Sequence, residues 1–377
     1  MTFISKFAVL TAGVAVFAAA GVAAMSPAMA SPQSPPTFLG QFNLVKQVAS
    51  TVPLNGDVNP YGVAVIDHSK GSLHQGNVLV SNFNDSSNQQ GTGSTIVEVS
   101  PQGEVTTFAQ ISASGLPGAC PGGIGLSTAL VVIDNWVIVG SAPSSNGQAA
   151  TARAGCLLVL DSTGRVREVI AGHGINGPWD ATAAVSGSRA LLFVTNVLNS
   201  TVSAGGNVVN RGTVTRYSLR FFPNSPNPPQ LTSFTVVGSG FSERTDPNAF
   251  VIGPTGLGVG RNGALYVADT LNNRITRINK ALTRPGSGGR GVLVSSGGFL
   301  SSPLGLAIAP NGDILTVNGG DGQIVETTSF GTQVAQFSLD TTGSPPGAGA
   351  LFGLAVAPCD GGVYFVDDNT NTLDLLY

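Results

Sequence analysis

Short apolar runs, each broken by Gly, Pro, Asn or Asp, succeed one another through most of the chain, and no long stretch keeps a helical period. Three stretches share one outline: PTGLGVGRNGALYVADTLNNRITRI at 254–278, SPLGLAIAPNGDILTVNGGDGQIVET at 302–327 and LFGLAVAPCDGGVYFVDDNTNTLDLL at 351–376. Each opens on a Gly-containing apolar run, turns at Asn-Gly or Gly-Gly, and rises through a second apolar run that ends in Asp or Asn. A third alternating segment follows. Asn and Gly tolerate the positive φ of a tight hairpin turn, so two short runs joined by such a pair predict a β-hairpin. The further segments extend each hairpin into a four-stranded meander.

The same outline recurs upstream in NPYGVAV, CPGGIGL and GPWDATA, which gives anchors at Gly62, Gly123, Asp180, Gly256, Gly305 and Gly353, spaced by 61, 57, 76, 49 and 48 residues. A repeat of this length with several strands in each copy is the mark of a β-propeller, and six anchors predict six blades. The long early steps carry insertions, NDSSNQQGTG, APSSNGQAATARA, NSTVSAGGNVVNR and FFPNSPNPPQ. The last copy ends at Tyr377 with no fourth strand, and residues 36–49 hold a strand-like segment without a hairpin partner. That segment is expected to supply the outer strand of the sixth blade and close the ring, which leaves no open sheet edge. The fold class is therefore all-β, a six-bladed propeller closed by its N-terminal strand.

The repeats resemble the NHL-type propeller family, whose pattern of P-x-G-apolar-Ala-apolar, a short turn, a Tyr/Leu-Val-Ala/Thr-Asp strand end and N-x-R-I is met by 254–278. The likeness is sharp in blades four to six. Blade two has Ser141 where the family has Asp, and blade three has Asp180 in place of Gly. A weaker similarity to regucalcin/gluconolactonase-like propellers rests on Asp269, at the strand end where that family places an acidic residue. That similarity implies a Ca²⁺ ion at the channel mouth, but Tyr61 and Thr255 stand where the family carries a Glu and an Asn. Propellers host binding modules and enzymes alike, so the fold does not choose a function.

Composition sets the surroundings. Only 10% of the 377 residues are charged, the net charge is −3, and no Lys/Arg cluster is present, so nucleic-acid binding is not expected. Residues 1–30 read as a secretory signal peptide: Lys6, an uncharged Ala-rich run from Phe7 to Met25, and a small-x-small site at Ala28-Met29-Ala30. The run is long enough that an uncleaved anchor is the alternative. Residues 31–37 form a short flexible leader and 38–377 a single propeller domain. No apolar run in the mature chain approaches spanning length, and a monomer working outside the cytoplasm is expected. Three cysteines in an exported chain allow one disulfide. Cys120 precedes the second blade's innermost strand and Cys156 begins its third, both on the mouth side, so Cys120–Cys156 is the predicted pair and Cys359, in a hairpin turn on the other face, the free thiol.

In a propeller the starts of the innermost strands and the ends of the second strands meet at one mouth of the central channel. This brings together Tyr61, Trp179, Asp180 and Phe352 with Asn82, Asn196, Asp269, Asn318 and Asp367, a polar collar with aromatic residues between. Such a mouth is the expected ligand site, although Asp and Asn at strand ends also serve as Asx caps of the following loop. Asn82, Asn196 and Asp269 offer oxygen ligands that suit Ca²⁺. His173, seven residues before Asp180 and expected to face the mouth, is the candidate general base, and Asp269 the other candidate catalytic residue. Three function classes follow, the third of them a structural component of a cell-surface or matrix assembly, which fits the low charge and high Gly content. The leading one is a binding module that takes a protein, glycan or small ligand through the mouth and the inserted loops. The alternative is a metal-dependent, lactonase-like hydrolase or lyase at the same mouth.

Overall fold

A computed structural model describes residues 37–222 and 225–377. The expected signal peptide and most of the leader, residues 1–36, lie outside the described residues. Residues 37–377 form one compact unit, and its described helical segments are 3₁₀ turns of three residues.

Six sheets are arranged in chain order. The first blade comprises β2 (Val58–Val65), β3 (Val78–Asn84), β4 (Thr95–Val99) and β5 (Val105–Gln110). The second holds β6 (Leu126–Ile133), β7 (Trp136–Ser141), β8 (Cys156–Leu160) and β9 (Val166–Ile170). Blade three is longer: β10 (Gly177–Ser186), β11 (Arg189–Val197), β12 (Val209–Arg220), β13 (Gln230–Asp246) and an added fifth strand, β14 (Phe250–Ile252). Blade four follows with β15 (Pro254–Val259), β16 (Leu265–Asp269), β17 (Arg274–Ile278) and β18 (Val292–Ser296). Blade five has β19 (Pro303–Ile308), β20 (Ile314–Asn318), β21 (Gln323–Thr327) and β22 (Gln333–Ser338). The sixth combines β23 (Leu351–Val356), β24 (Val363–Asp367) and β25 (Thr372–Leu376) with β1 (Val45–Ser50) from the other end of the chain.

Ring closure is antiparallel, from Val45 opposite Leu376 to Ser50 opposite Thr372. Only the second half of the 36–49 segment is strand. Its first half makes a 3₁₀ turn that wedges Phe38 and Leu39, both buried, between blades five and six. Glu326 grips this wedge: its two carboxylate oxygens accept the Phe38 and Leu39 backbone N–H groups at 2.8 and 2.7 Å, and Asn311 Nδ2 donates to Oε1 at 2.9 Å.

Strand alternation explains how the blades stack. Successive side chains point to opposite faces of a sheet, and here both faces are covered, so central strands read as continuous apolar runs. On β3, Leu79 packs toward blade two while Val78 and Val80 pack toward blade six. On β16, Leu265 and Val267 meet blade three while Tyr266 and Ala268 meet blade five. Each of the six interfaces between neighbouring blades holds its own apolar cluster.

The repeat has a structural signature at its anchor. Pro60 pairs with Asn82, Pro178 with Asn196, Pro254 with Asp269, Pro303 with Asn318 and Leu351 with Asp367, and in every case the register shifts immediately afterwards. A β-bulge at the anchor thus starts each of these innermost strands. Blade two obeys the same rule at Leu126 opposite Ser141, which corrects the anchor read at Gly123. The CPGGIG segment imitates the motif but is a loop. Ser141 Oγ accepts the Gly125 N–H at 3.0 Å and donates to the Gly123 carbonyl at 2.9 Å, which holds the segment off the ladder. The Cys120–Cys156 disulfide is present, with Cα atoms 5.3 Å apart, and Cys359 is free and exposed.

Candidate functional site in the central channel

The polar collar does not converge on the axis. Asn82 Nδ2 donates to the Thr51 carbonyl at 3.0 Å, and Asn318 Nδ2 to that of Phe299 at 2.8 Å. Each thereby ties its strand to the link that enters its own blade. Asp269 is fully buried; its Oδ2 accepts Arg274 Nε and Nη2, both at 2.7 Å, and Oδ1 accepts Asn272 Nδ2 at 2.9 Å. Asp367 accepts the Thr370 N–H at 3.2 Å, as an Asx cap does, and burial with the nearby Asp340 charge raises its carboxyl above the ordinary value. Asn196 is buried beside Tyr217. Asn82, Asn318, Asp269 and Asp367 thus fasten strand ends or the loops that follow them.

The proposed metal set therefore does not fit Ca²⁺. The oxygens of Asp269, the one charged member, are committed to Arg274 and Asn272, which leaves only the amide oxygens of Asn82 and Asn196, buried without a partner. Among the described residues, no group of three or more His, Cys, Asp or Glu is placed to hold a metal.

His173 is also displaced from its expected position. Gly172, His173 and Gly174 all have positive φ, 73°, 51° and 80°, while Ile175 is buried between blades two and three. This left-handed turn throws the His173 side chain outward. Its ring centroid lies 5.0 Å from that of Phe234 on the outer strand of blade three, and it lines a rim groove with Glu168 and Gln230. The imidazole is exposed and Asp269 is sealed, so the two are not a catalytic pair.

What does converge at the mouth is aromatic. Tyr61 stacks on Phe83 and on Phe352 with centroids 4.7 and 4.0 Å away, and meets the Trp179 ring edge-on at 5.7 Å. Phe83 contacts Trp179 at 5.5 Å and Phe250 at 5.4 Å, and Trp179 stacks parallel to Phe250 at 6.3 Å. Phe83 and Phe250 are fully buried, and Tyr61 and Trp179 are 2% and 3% exposed. This cluster plugs the channel.

The inserted loops knit over it. Ser144 donates its N–H to the Gly91 carbonyl at 2.9 Å and its hydroxyl to that of Gln90 at 2.5 Å, and Gln90 Nε2 donates to the Asn248 carbonyl at 2.7 Å. The insertions of blades one and two thus interlock with the β13–β14 hairpin of blade three, which lowers Phe250 into the plug. Three aromatic residues one place before the anchors, Tyr61, Trp179 and Phe352, were the legible part of this arrangement. Phe83 and Phe250 were not read, Phe250 because it belongs to a strand outside the repeat.

Below the plug lies a channel of about 530 Å³ between the innermost strands. Its lining side chains are mainly apolar, Ala181, Ala183, Leu257, Leu306, Ile308 and Leu354 among them, while polar atoms make up about half of the exposed wall. Trp179 and Phe352 line its closed end. Asp67 and the half-exposed Val185 stand at the other end, so the channel opens on the face of the inner hairpin turns.

Asp180 is the ionisable group inside it. At the equivalent positions Gly256, Gly305 and Gly353, an added Cβ would collide with the Leu304, Phe352 and Tyr61 carbonyl oxygens of the next blade. Between blades three and four the side chain fills that contact instead. Asp180 Oδ2 accepts the Leu257 N–H at 3.0 Å and Oδ1 accepts the N–H of Ala181 at 2.8 Å, while its own N–H donates to Thr195 Oγ1 at 2.9 Å. Burial raises its carboxyl to about 7 despite these two N–H donors.

No family model matches the chain, and no curated protein matches it. Among solved structures, the fold is similar to a luciferin-regenerating enzyme (TM-score 0.55, 10% identity, covering 88% of this chain and 94% of the other). It is also similar to a gluconolactonase from Xanthomonas campestris (TM-score 0.52, 12% identity, 88% of each chain). A streptogramin B lyase gives a TM-score of 0.50 at 16% identity, covering 89% of this chain and 97% of the other. At these identities the likeness carries the fold alone, and the NHL-type resemblance stays a matter of the motif. The chain is an all-β protein of six blades arranged as a β-propeller, a fold it shares with gluconolactonase-type propellers.

Proposed function

We propose that this protein binds a small, largely apolar molecule in its central channel, entered from the hairpin-turn face, with Asp180 as the polar anchor. The observation that carries the reading is the combination of a mouth plugged by aromatic rings with an open channel whose side chains are mainly apolar and which holds one half-buried carboxyl. A concave apolar site with few polar groups is the usual form of a small-molecule site, and the volume falls in the usual range. The leading sequence-based reading, a binding module, is kept, but its site moves from the mouth to the channel beneath it. We place its action outside the cytoplasm, a reading supported by the Cys120–Cys156 bond.

A second reading has its own observation. A carboxyl raised to about 7 is divided near neutral pH between acid and base, as a general base requires. Asp180 would take a proton from water attacking a lactone or ester held in the channel, with no step assigned to a metal. The fold likeness to a gluconolactonase is consistent with that chemistry without assigning it. One experiment tests both. A filled channel, Ala183→Phe, is to be compared with the native protein in calorimetric binding of apolar probes and in turnover of an ester and lactone panel. Binding without turnover, lost on filling, supports the binding module. Turnover abolished by both Ala183→Phe and Asp180→Asn supports the hydrolase. No binding and no turnover in the native protein overturns the channel as a site.

A further inference from the structure

The channel's chemistry narrows the class of ligand. Apart from Asp180 and Asp67 its lining is Val, Leu, Ile, Ala, Gly, Trp and Phe with two threonines, and no Lys, Arg or His is among the described lining residues. Asp180 lies at the closed end and Asp67 at the open rim, so both ionisable groups along the path are acidic. The partners that position Asp180 are backbone amides, which carry no net charge. A carboxylate has about four lone-pair sites, and these two bonds use one on each oxygen. Blade-to-blade contact does not demand a charge here, since blades four, five and six make the corresponding approach with glycine. Asp180 is half-buried on the channel wall, and a carboxylate partly withdrawn from water is stabilised by a cationic partner.

We propose that the ligand of this channel is an amphiphilic cation: an apolar body lying along the innermost strands and a protonated amine paired with Asp180. The inference rests on the channel being a ligand site and adds its chemical class. The ammonium supplies the missing positive charge and donors for the free lone pairs, a charge-assisted bond stronger than a neutral one. An anionic ligand would meet two acids, first Asp67 and then Asp180, and be disfavoured by both. A neutral ligand of the same shape keeps the apolar burial and loses the ion pair.

The test uses three probes of matched shape, octylammonium, 1-octanol and octanoate, with binding measured by calorimetry at pH 8, where Asp180 is mostly ionised. The amine class predicts octylammonium at least tenfold tighter than 1-octanol, with octanoate weakest. Asp180→Asn should bring octylammonium to the level of 1-octanol and leave 1-octanol within a few-fold. In the native protein, lowering the pH to 5.5 should weaken octylammonium about tenfold while 1-octanol is unmoved; Asp67 is the other titratable lining group, and Asp67→Asn separates its share. This pH arm stands even if Asp180→Asn fails to fold. If all three probes bind alike, or octanoate binds best, the amine class is overturned and the channel site survives. If none binds, the channel site itself falls.

Discussion

Replacing Phe250 with Ala removes the ring that the β13–β14 hairpin inserts into the plug. Phe250 is fully buried and touches Phe83 at 5.4 Å and Trp179 at 6.3 Å between centroids. Phe→Ala in a packed core costs about 3–5 kcal/mol, from lost transfer free energy and the cavity left behind, and aromatic pairs add about 0.5–1.5 kcal/mol each beyond burial. The cavity can be partly refilled because Phe250 sits on the short added edge strand of blade three, so the lower end, about 3 kcal/mol, is expected. At roughly 2 °C per kcal/mol for a domain of this size, the melting temperature should fall by about 6 °C. Scanning calorimetry reads this, and acrylamide quenching of Trp179 fluorescence, with Trp136→Phe as background, reads whether the plug has opened. A loss under about 1 kcal/mol with unchanged quenching would refute a packed plug, since a ring of this burial cannot be removed so cheaply.

Other consequences follow from the same geometry. Glu326→Ala leaves the Phe38 and Leu39 N–H groups and Asn311 Nδ2 without their buried acceptor, so urea unfolding should show a loss of about 2–5 kcal/mol, and limited proteolysis should cut first before β1. In native protein denatured without reductant, only Cys359 should alkylate. Cys120→Ser/Cys156→Ser should lower stability by about 3–4 kcal/mol, because the bond closes a loop between residues 36 apart in sequence. Asp180, Glu243 and Asp368 are each raised to about 7, mainly by burial, so the native state binds protons more tightly than the unfolded one. Stability linked to these groups is full below the ordinary carboxyl value and is lost as pH rises through about 7. Urea midpoints should therefore fall from pH 5 to pH 8, and Asp180→Asn should flatten that fall.

The architecture was largely legible because blades four to six carry the hairpin punctuation in undisturbed form, and because a chain that ends one strand short must find its edge elsewhere. The disulfide followed from topology: it pairs one loop with one strand start on the mouth side of a single blade. Blade two misled because Pro121-Gly122-Gly123 copies a motif whose structural content is a bulge opposite a strand end, and that content sits at Leu126. The collar was read correctly as a set of strand ends; of the residues named with it, Trp179, Asp180 and Phe352 line the channel, while Asn82, Asn318 and Asp269 make local bonds. A sequence shows that Asn82, Asn318 and Asp269 share a level, but their direction is set by the nearest unpaired donor or acceptor, here Thr51, Phe299 and Arg274. The added β13–β14 hairpin has no counterpart in the repeat, so its ring in the plug left no periodic trace. Asp180 stood out as the anchor that is not glycine, and the structure gives that departure a location inside the channel.

The account turns on which end of the ring receives a small molecule, and a crystal structure of the protein soaked in octylammonium decides it most directly. The prediction is density along the channel, with nitrogen within hydrogen-bond distance of an Asp180 carboxylate oxygen and the rings of Tyr61, Phe83, Trp179 and Phe250 unmoved. Density among those rings, with the inserted loops displaced and the channel empty, would contradict it.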